Sequence, residues 1–298
     1  PVYDGELYLE LHRGTLTAKQ QIKKNNRMAE NLLRMLELCL TRSAVTARTP
    51  ADGTALRPLW NTLLVNQFHD ILPGSCIAAA NDRSLHDMAE MLHTGSELLR
   101  SWFAPAQNCY TVLNPLDEPC RDVFYLPKIA SGFIVQEPGV TLQNVVLADG
   151  TAATAVYGLE RPALGAAVLH FVPGEQPAQT SRFVYDGKTL TTPLLQVQLD
   201  ELGRITSLVT RADGMQWADG PMNTLLMAED VSAGWDGWDI DADCMMKLQP
   251  AARLTKQTVT ADGPQEFRLH SRYELGTATI LEHDMIFRAE STLVEWQT

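Results

Sequence analysis

The sequence predicts a multidomain α+β fold: a three-helix bundle first, then an antiparallel β-sandwich that is incomplete at its C-terminal end. Three observations carry that reading. Apolar residues recur at three- and four-residue steps from about residue 17 to residue 104. Beyond Gln107 the pattern shortens to brief alternating or apolar runs parted by Gly, Pro, Asp and Asn. No helical pattern interrupts those runs, so neighbouring strands should pair antiparallel.

Residues 1–16 read as extended, because Glu6, Tyr8 and Glu10 alternate with Leu7, Leu9 and Leu11 before the His12-Arg13-Gly14 break. The first helix should cover residues 17–44, with Thr17 as N-cap and Ile22, Ala29, Leu32, Leu33, Leu36 and Leu40 on one face. A loop with Pro50 and Asp52-Gly53 follows. The second helix has Pro58 in its first turn and a stripe of Leu56, Trp60, Leu63, Leu64, Phe68 and Ile71. It should stop at Pro73-Gly74, with Thr62, Asn66 and His69 on the reverse side. Ser75 is placed to cap a third helix whose stripe is Ile77, Leu85, Met88, Leu92, Leu99 and Trp102. Three such helices with short connections bury their stripes on one another. The two domains are then 1–106 and 107–298. Strands are expected at 110–113, 123–126, 133–136, 145–147, 166–172, 194–199, 205–210, 267–273 and 293–296.

Composition narrows the function classes. The 298 residues are 45% apolar and 20% charged, as in a globular protein with a real core. The net charge of −12 argues against nucleic acid and anionic membrane as partners. No apolar run approaches the roughly 20 residues that span a bilayer. Five scattered cysteines form no C-x-x-C pair. They fit small buried apolar residues in a reducing, cytoplasmic compartment. The chain opens Pro1-Val2-Tyr3 without methionine or signal-peptide pattern, which leads us to expect an excised or processed piece of a longer protein.

Three constellations hold residue types suited to chemistry. His69-Asp70 offers an imidazole nitrogen and a carboxylate oxygen, the donors zinc takes at about 2.0–2.2 Å. Its alternative is a surface pair favoured at a helix C-terminus. Zinc normally has three or four protein ligands, and the sequence has no H-x-H, H-x-D or H-E-x-x-H to supply the others. His86 and His93 are about 10 Å apart on a helix, too far for one ion. The second constellation, residues 235–243, interleaves Trp235 and Trp238 with Asp236, Asp239, Asp241 and Asp243. It fails the EF-hand pattern. Tryptophans beside aspartates suit a sugar, and equally a solvated acidic loop. The third is Glu10, His12 and Arg13, either ligand-binding or a salt-bridged edge. No G-x-S-x-G, P-loop or Rossmann pattern occurs.

Together, GELYLELHRGT at 5–15, NQFHDILPGSCI at 66–77 and WDGWDID at 235–241 resemble glycoside hydrolase family 38, the α-mannosidases, nearest to its cytosolic and bacterial branch. Weaker echoes, VLNP at 112–115 and LGRITSL at 202–208, lie between them in family order. The resemblance implies the family's central helical domain followed by the start of a galactose mutarotase-like β region. A β/α catalytic domain, with the nucleophile, would lie elsewhere in the whole enzyme. It further implies a retaining exo-α-mannosidase that uses zinc, or another divalent cation such as cobalt, one per subunit. His69 would complete the metal site and Asp70 would contact the sugar. Glu10, His12 and Arg13 would have a substrate-binding or an interdomain role, and Trp235, Asp236 and Asp239 would be further substrate contacts. The expected partners are an α-mannoside or manno-oligosaccharide and the protein's own catalytic domain, with homo-oligomerisation left open. Alone, the chain should be inactive and should not retain metal. The competing reading is a non-catalytic carbohydrate-binding or interaction module.

Overall fold

In the computed structural model of the chain, which describes residues 2, 12–103, 107–176, 178–241 and 243–298, the helical periodicity produces three packed helices. These are α1 (Gln20–Ala47), α2 (Arg57–Asn66) and α3 (Ala78–Ser101). Ala29, Leu33 and Leu36 of α1 meet Leu59 and Leu63 of α2 and Met88 and Met91 of α3, with Leu56 alongside. Gly95 lets α3 approach closely: a Cβ there would stand 2.8 Å from Leu32 Cδ2. The helices belong to one compact unit, Pro1–Ala106 with Glu229–Lys247; the other is Gln107–Ala228 with Leu248–Thr298.

Several helical expectations are corrected. The extended reading of 1–16 falls largely outside the described residues, and Arg13–Leu16 form a short 3-10 helix. Thr17 is not the cap of α1; the helix begins after Lys19, whose backbone is left-handed at φ 52°. Thr17 lies too far ahead of Gln20 for its hydroxyl to reach the first helical amides. The second helix stops at Asn66, well before Pro73. There the Asn66 amide donates to Thr62 O at 2.8 Å, and Gln67 N–H is shared between Leu63 O and Leu64 O. An asparagine side chain that competes for backbone partners weakens a helix end. The buried stripe of α2 is consequently Leu59, Leu63 and Asn66, while Leu64 and Phe68 are exposed. Ser75 does not cap α3, whose N-cap is Ile77, an exposed residue. Met88 of the expected third stripe is buried, joined by Ser84, Met91 and Gly95.

The second unit is built of antiparallel strands. Cys109–Asn114, Gly165–Pro173 and Phe133–Val135 form one sheet, in that order; Phe124–Pro127, Ala152–Tyr157 and Thr141–Val146 form another. Two four-stranded sheets follow. One runs Ile205–Thr210, Leu195–Leu199, Thr189–Thr191, Val184–Tyr185; the other runs Ala252–Asp262, Glu266–Leu275, Thr279–Arg288, Val294–Gln297. Leu226–Met227 pairs with Gln249–Pro250 at the root of the 229–247 excursion. Each of the nine strands expected from alternation is present within a residue or so at most ends, although 145–147 proves to be the end of a longer strand. Sequence reading did not name Ala152–Tyr157, Thr189–Thr191, Ala252–Asp262 and Thr279–Arg288, nor the two-residue strands Val184–Tyr185, Leu226–Met227 and Gln249–Pro250. In Thr279–Arg288, His283 and Asp284 occupy buried positions and blur the alternation that marks a strand.

The main β core contains Leu190, Leu195, Val197, Ile205, Phe267, Leu269, Met285 and Phe287. Beside it lies a buried ionic cluster. Glu266, fully buried, accepts hydrogen bonds from Tyr125 at 2.9 Å and Tyr157 at 2.7 Å on one oxygen, and from Arg268 at 2.9 Å on the other. Arg268 also donates to Asp284 at 2.9 Å, and Asp284 meets His270 Nδ1 at 2.7 Å. Burial, then the neighbouring Glu266 charge, raises the Tyr157 phenol far above its ordinary range. The five cysteines are unbridged thiols that are half-buried rather than fully buried. Cys120 Sγ is not simply apolar packing, since it accepts from the Arg161 guanidinium at 2.8 Å.

Candidate functional site

His69 and Asp70 sit in the irregular segment between α2 and α3, not on a helix. After Asn66 the chain turns through short-range bonds: Phe68 N–H to Val65 O at 3.2 Å, Ile71 N–H to Phe68 O at 2.9 Å, Gly74 N–H to Ile71 O at 2.9 Å. Gly74 takes φ +90°, a conformation that side chains disfavour, and its Cα faces Lys19, with 2.8 Å from an added Cβ to Lys19 Cγ. Lys23, reaching from α1, donates to Leu72 O at 2.9 Å and Pro73 O at 3.0 Å, and to Ala18 O. One ammonium thus satisfies carbonyls that lie beyond regular structure. Burial lowers the Lys23 pKa from its ordinary value.

The segment presents two donors to solvent. His69 Nε2 lies 3.7 Å from Asp70 Oδ2, with side chains 70% and 46% exposed. The Phe68 ring lies against the imidazole, centroids 4.2 Å apart. Ser75 Oγ donates to Asp70 Oδ1 at 3.2 Å and holds the carboxylate from one side. Behind the segment, Gln67 donates to Asn26 Oδ1 and Glu30 Oε1, both at 3.1 Å, and ties the end of α2 to α1.

The 229–247 excursion reaches the same unit. A Cβ on Gly237 would stand 3.2 Å from Ser75 Cα, so the excursion's turn touches the residue that holds Asp70. The Trp238 ring packs on His12 with centroids 5.1 Å apart. Gly14 N–H donates to Trp238 O at 3.0 Å, and Arg13 donates to Ile240 O at 3.3 Å. The turn is closed internally, because Trp235 O accepts from Trp238 N–H at 2.7 Å and Asp239 N–H at 3.0 Å. Trp235 stands 81% exposed, and Asp236 is exposed as well. Asp239 is half-buried and accepts from its neighbour Ile240 N–H at 2.9 Å.

The fold therefore brings five predicted residues, His12, Arg13, Asp70, Trp238 and Asp239, into one connected cluster through Ser75, Gly14 and Gly237. His69, Trp235 and Asp236 lie at its exposed edge. Glu10 lies outside the described residues. Sequence reasoning missed Lys23, Gly14, Gly237 and the role of Ser75. The only sequence signal for the two glycines was their place inside two of the motifs. Arg13 donates to a backbone carbonyl, Ile240 O, at 3.3 Å.

A divalent metal fits the donor chemistry of His69 and Asp70, one nitrogen and one oxygen facing solvent. Two donors fall short of the three or four that zinc takes. Among the described residues no three His, Cys, Asp or Glu side chains are grouped to hold an ion.

The model of the alpha mannosidase middle domain matches residues 10–104, and that of the glycosyl hydrolases family 38 C-terminal domain matches residues 190–298. The chain belongs to glycoside hydrolase family 38. Within the family it is 33% identical over 251 residues to the human protein named alpha-mannosidase 2C1, covering 79% of this chain and 22% of that protein. The mouse alpha-mannosidase 2C1 gives 32% over 248 residues with the same shares. A Saccharomyces cerevisiae alpha-mannosidase is 42% identical over 81 residues, 26% of this chain and 7% of that one. The chain spans about a fifth of the length of the first two family 38 relatives. A solved structure of an alpha-mannosidase from Enterococcus faecalis superposes with TM-score 0.64 at 12% identity, covering 95% of this chain and 41% of the other. A second Enterococcus faecalis structure, of a protein in glycosyl hydrolase family 38, gives TM-score 0.59 over 93% and 42%. At that identity the likeness shows a shared family 38 fold.

Proposed function

We propose that this chain is the non-nucleophilic part of a retaining exo-α-mannosidase that hydrolyses terminal α-mannosides in oligosaccharides. The observation that supports it best is the assembly, in one unit, of the three family-like motifs around Asp70 and Ser75, with His69 exposed beside them. His69 would be one ligand of a zinc or cobalt ion whose other ligands come from the catalytic domain. A bound zinc would act as a Lewis acid toward sugar hydroxyls. Asp70, fixed by Ser75, would accept a hydrogen bond from the sugar. His12 and Arg13 would hold the 235–240 turn, and Trp235, Asp236 and Asp239 would line the far side of the sugar. The carboxylic acid pair of a retaining hydrolase is assigned outside this chain. The chain alone is expected to be inactive and to lose its metal, and the whole enzyme to work in the cytoplasm. The helical part is read as the family's three-helix bundle and the β part as an incomplete mutarotase-like sandwich.

The test is His69→Ala in the whole protein. Zinc content should fall well below one per subunit, and turnover of a chromogenic α-mannoside should fall about 100-fold or more, as for loss of a metal ligand. Wild-type zinc content and rate would refute the ligand role. A second reading rests on the exposed Trp235 indole: a carbohydrate-binding module without catalysis. Metal-independent binding of manno-oligosaccharide by the whole protein, with no hydrolysis, would favour it.

A further inference from the structure

The 229–247 excursion is an irregular segment whose only helix among the described residues is the single turn Cys244–Lys247. Its tip nevertheless packs on residues 12–14 and on Ser75. Two glycines stand at these contacts, and at each an added side chain would be tight against neighbouring backbone. A Cβ on Gly14 would lie 3.1 Å from Asp239 O, 3.2 Å from Asp239 N and 3.2 Å from Trp238 C. All three are backbone atoms of the tip, which cannot rotate away as a side chain would. Gly14 is buried and also donates its N–H to Trp238 O. A Cβ on Gly237 would meet Ser75 Cα at 3.2 Å and Cβ at 3.3 Å. Neither glycine has a left-handed φ, so the tight space around each, rather than torsion, is what a side chain would meet there.

The seated tip carries a strained residue. Trp235 has φ 61°, a left-handed value uncommon for a bulky side chain, and it holds both tip amides on its carbonyl while its indole is 81% exposed. Strain at an exposed aromatic is retained only where surrounding contacts over-determine it. Those contacts are the two glycine seats and the packing of Trp238 on His12.

We propose that Gly14 and Gly237 are positioning residues that seat the 235–240 tip so that Trp235 presents its ring face to a pyranose unit of the oligosaccharide. The inference rests on the α-mannosidase reading for the identity of that ligand, not for the seating itself. Saturated ring faces of sugars carry C–H groups that pack on an indole. Releasing the tip should weaken substrate binding without touching the chemical step.

The experiment uses the whole protein and compares Gly14→Ala, Gly237→Ala and Trp235→Ala. Hydrogen exchange is read at the 235–240 amides, and kcat and KM are measured with an α-manno-oligosaccharide. Both glycine variants should exchange faster at 235–240, with exchange in the helices unchanged, and should raise KM about tenfold while kcat stays within about twofold. Trp235→Ala should raise KM similarly. Its exchange at Gly14 should stay at the wild-type level, because the seat itself is intact. Unchanged exchange in both glycine variants overturns the seating. Faster exchange with unchanged KM overturns the link to substrate. If the protein hydrolyses no α-mannoside, the enzymatic reading fails while the exchange data still judge the seating.

Discussion

Glu266 accepts from two tyrosines and an arginine while fully buried, and it shows what a single residue contributes here. Removing its charge leaves Asp284 as the one carboxylate bridged to Arg268, whose side chain has no water-exposed area. Glu266→Gln is expected to destabilise the β unit by about 3–5 kcal/mol, the range for breaking a buried ion pair from one side. Equilibrium urea unfolding checks it. His283 is buried, its Nε2 has no hydrogen-bond partner, and burial lowers its pKa below 6.5. The unfolded chain therefore binds the extra proton in the window just below pH 6.5. Stability then rises with pH across that window: the contribution is complete above the unfolded value and is lost as pH falls toward the folded one. Unfolding free energy measured from about pH 7.5 to about pH 5.5, one unit either side of the ordinary histidine value, should drop, and His283→Leu should flatten that part of the curve. Neither residue was singled out by the sequence, because a lone Glu or His on a strand reads as solvent-facing until its neighbours are known.

At the scale of elements, the connection from α2 to α3 matters most. Its carbonyls at Leu72 and Pro73 have no partner from regular structure, and Lys23 supplies it from α1. Lys23→Met should cost about 1–3 kcal/mol of helical-unit stability, as expected when part-buried acceptors lose a charged donor. The exposed neighbour Lys24→Met should stay within about 0.5 kcal/mol of wild type. Chemical denaturation followed at 222 nm separates the two. Helix existence was legible from the 3.6-residue period of α1, α2 and α3. The end of α2 was not, because Pro73 is a visible stop signal, whereas the earlier stop depends on where the Asn66 amide and Gln67 N–H find acceptors. The consequence is functional: His69 and Asp70 are held by a turn rather than by a helix face.

At the scale of the whole molecule, the helical and β clusters have no residue in common among the described residues. Leu63 and Phe267 are each buried in one of them. Leu63→Ala should cost about 2–5 kcal/mol and Phe267→Ala about 3–5 kcal/mol. The two losses should add within about 0.5 kcal/mol, as for sites without common partners. Urea titration of the double variant with probes for each unit measures the sum. A coupling well beyond that margin would mean that the cores are energetically joined. No helix among the described residues is long and apolar enough to cross a membrane.

The order of elements, the strands of alternating pattern and the family were already written in the sequence, because each rests on a local period or a short run of words. Helix ends, the buried charges of Glu266, Arg268 and Asp284, and the meeting of residues 12–14, 69–75 and 235–240 needed the tertiary structure. Those features depend on which groups become neighbours across long stretches of chain, such as Gly14 with Trp238. Periodicity shows which face of a segment is apolar. It does not show which carbonyl a distant lysine will reach, or which backbone a glycine must admit.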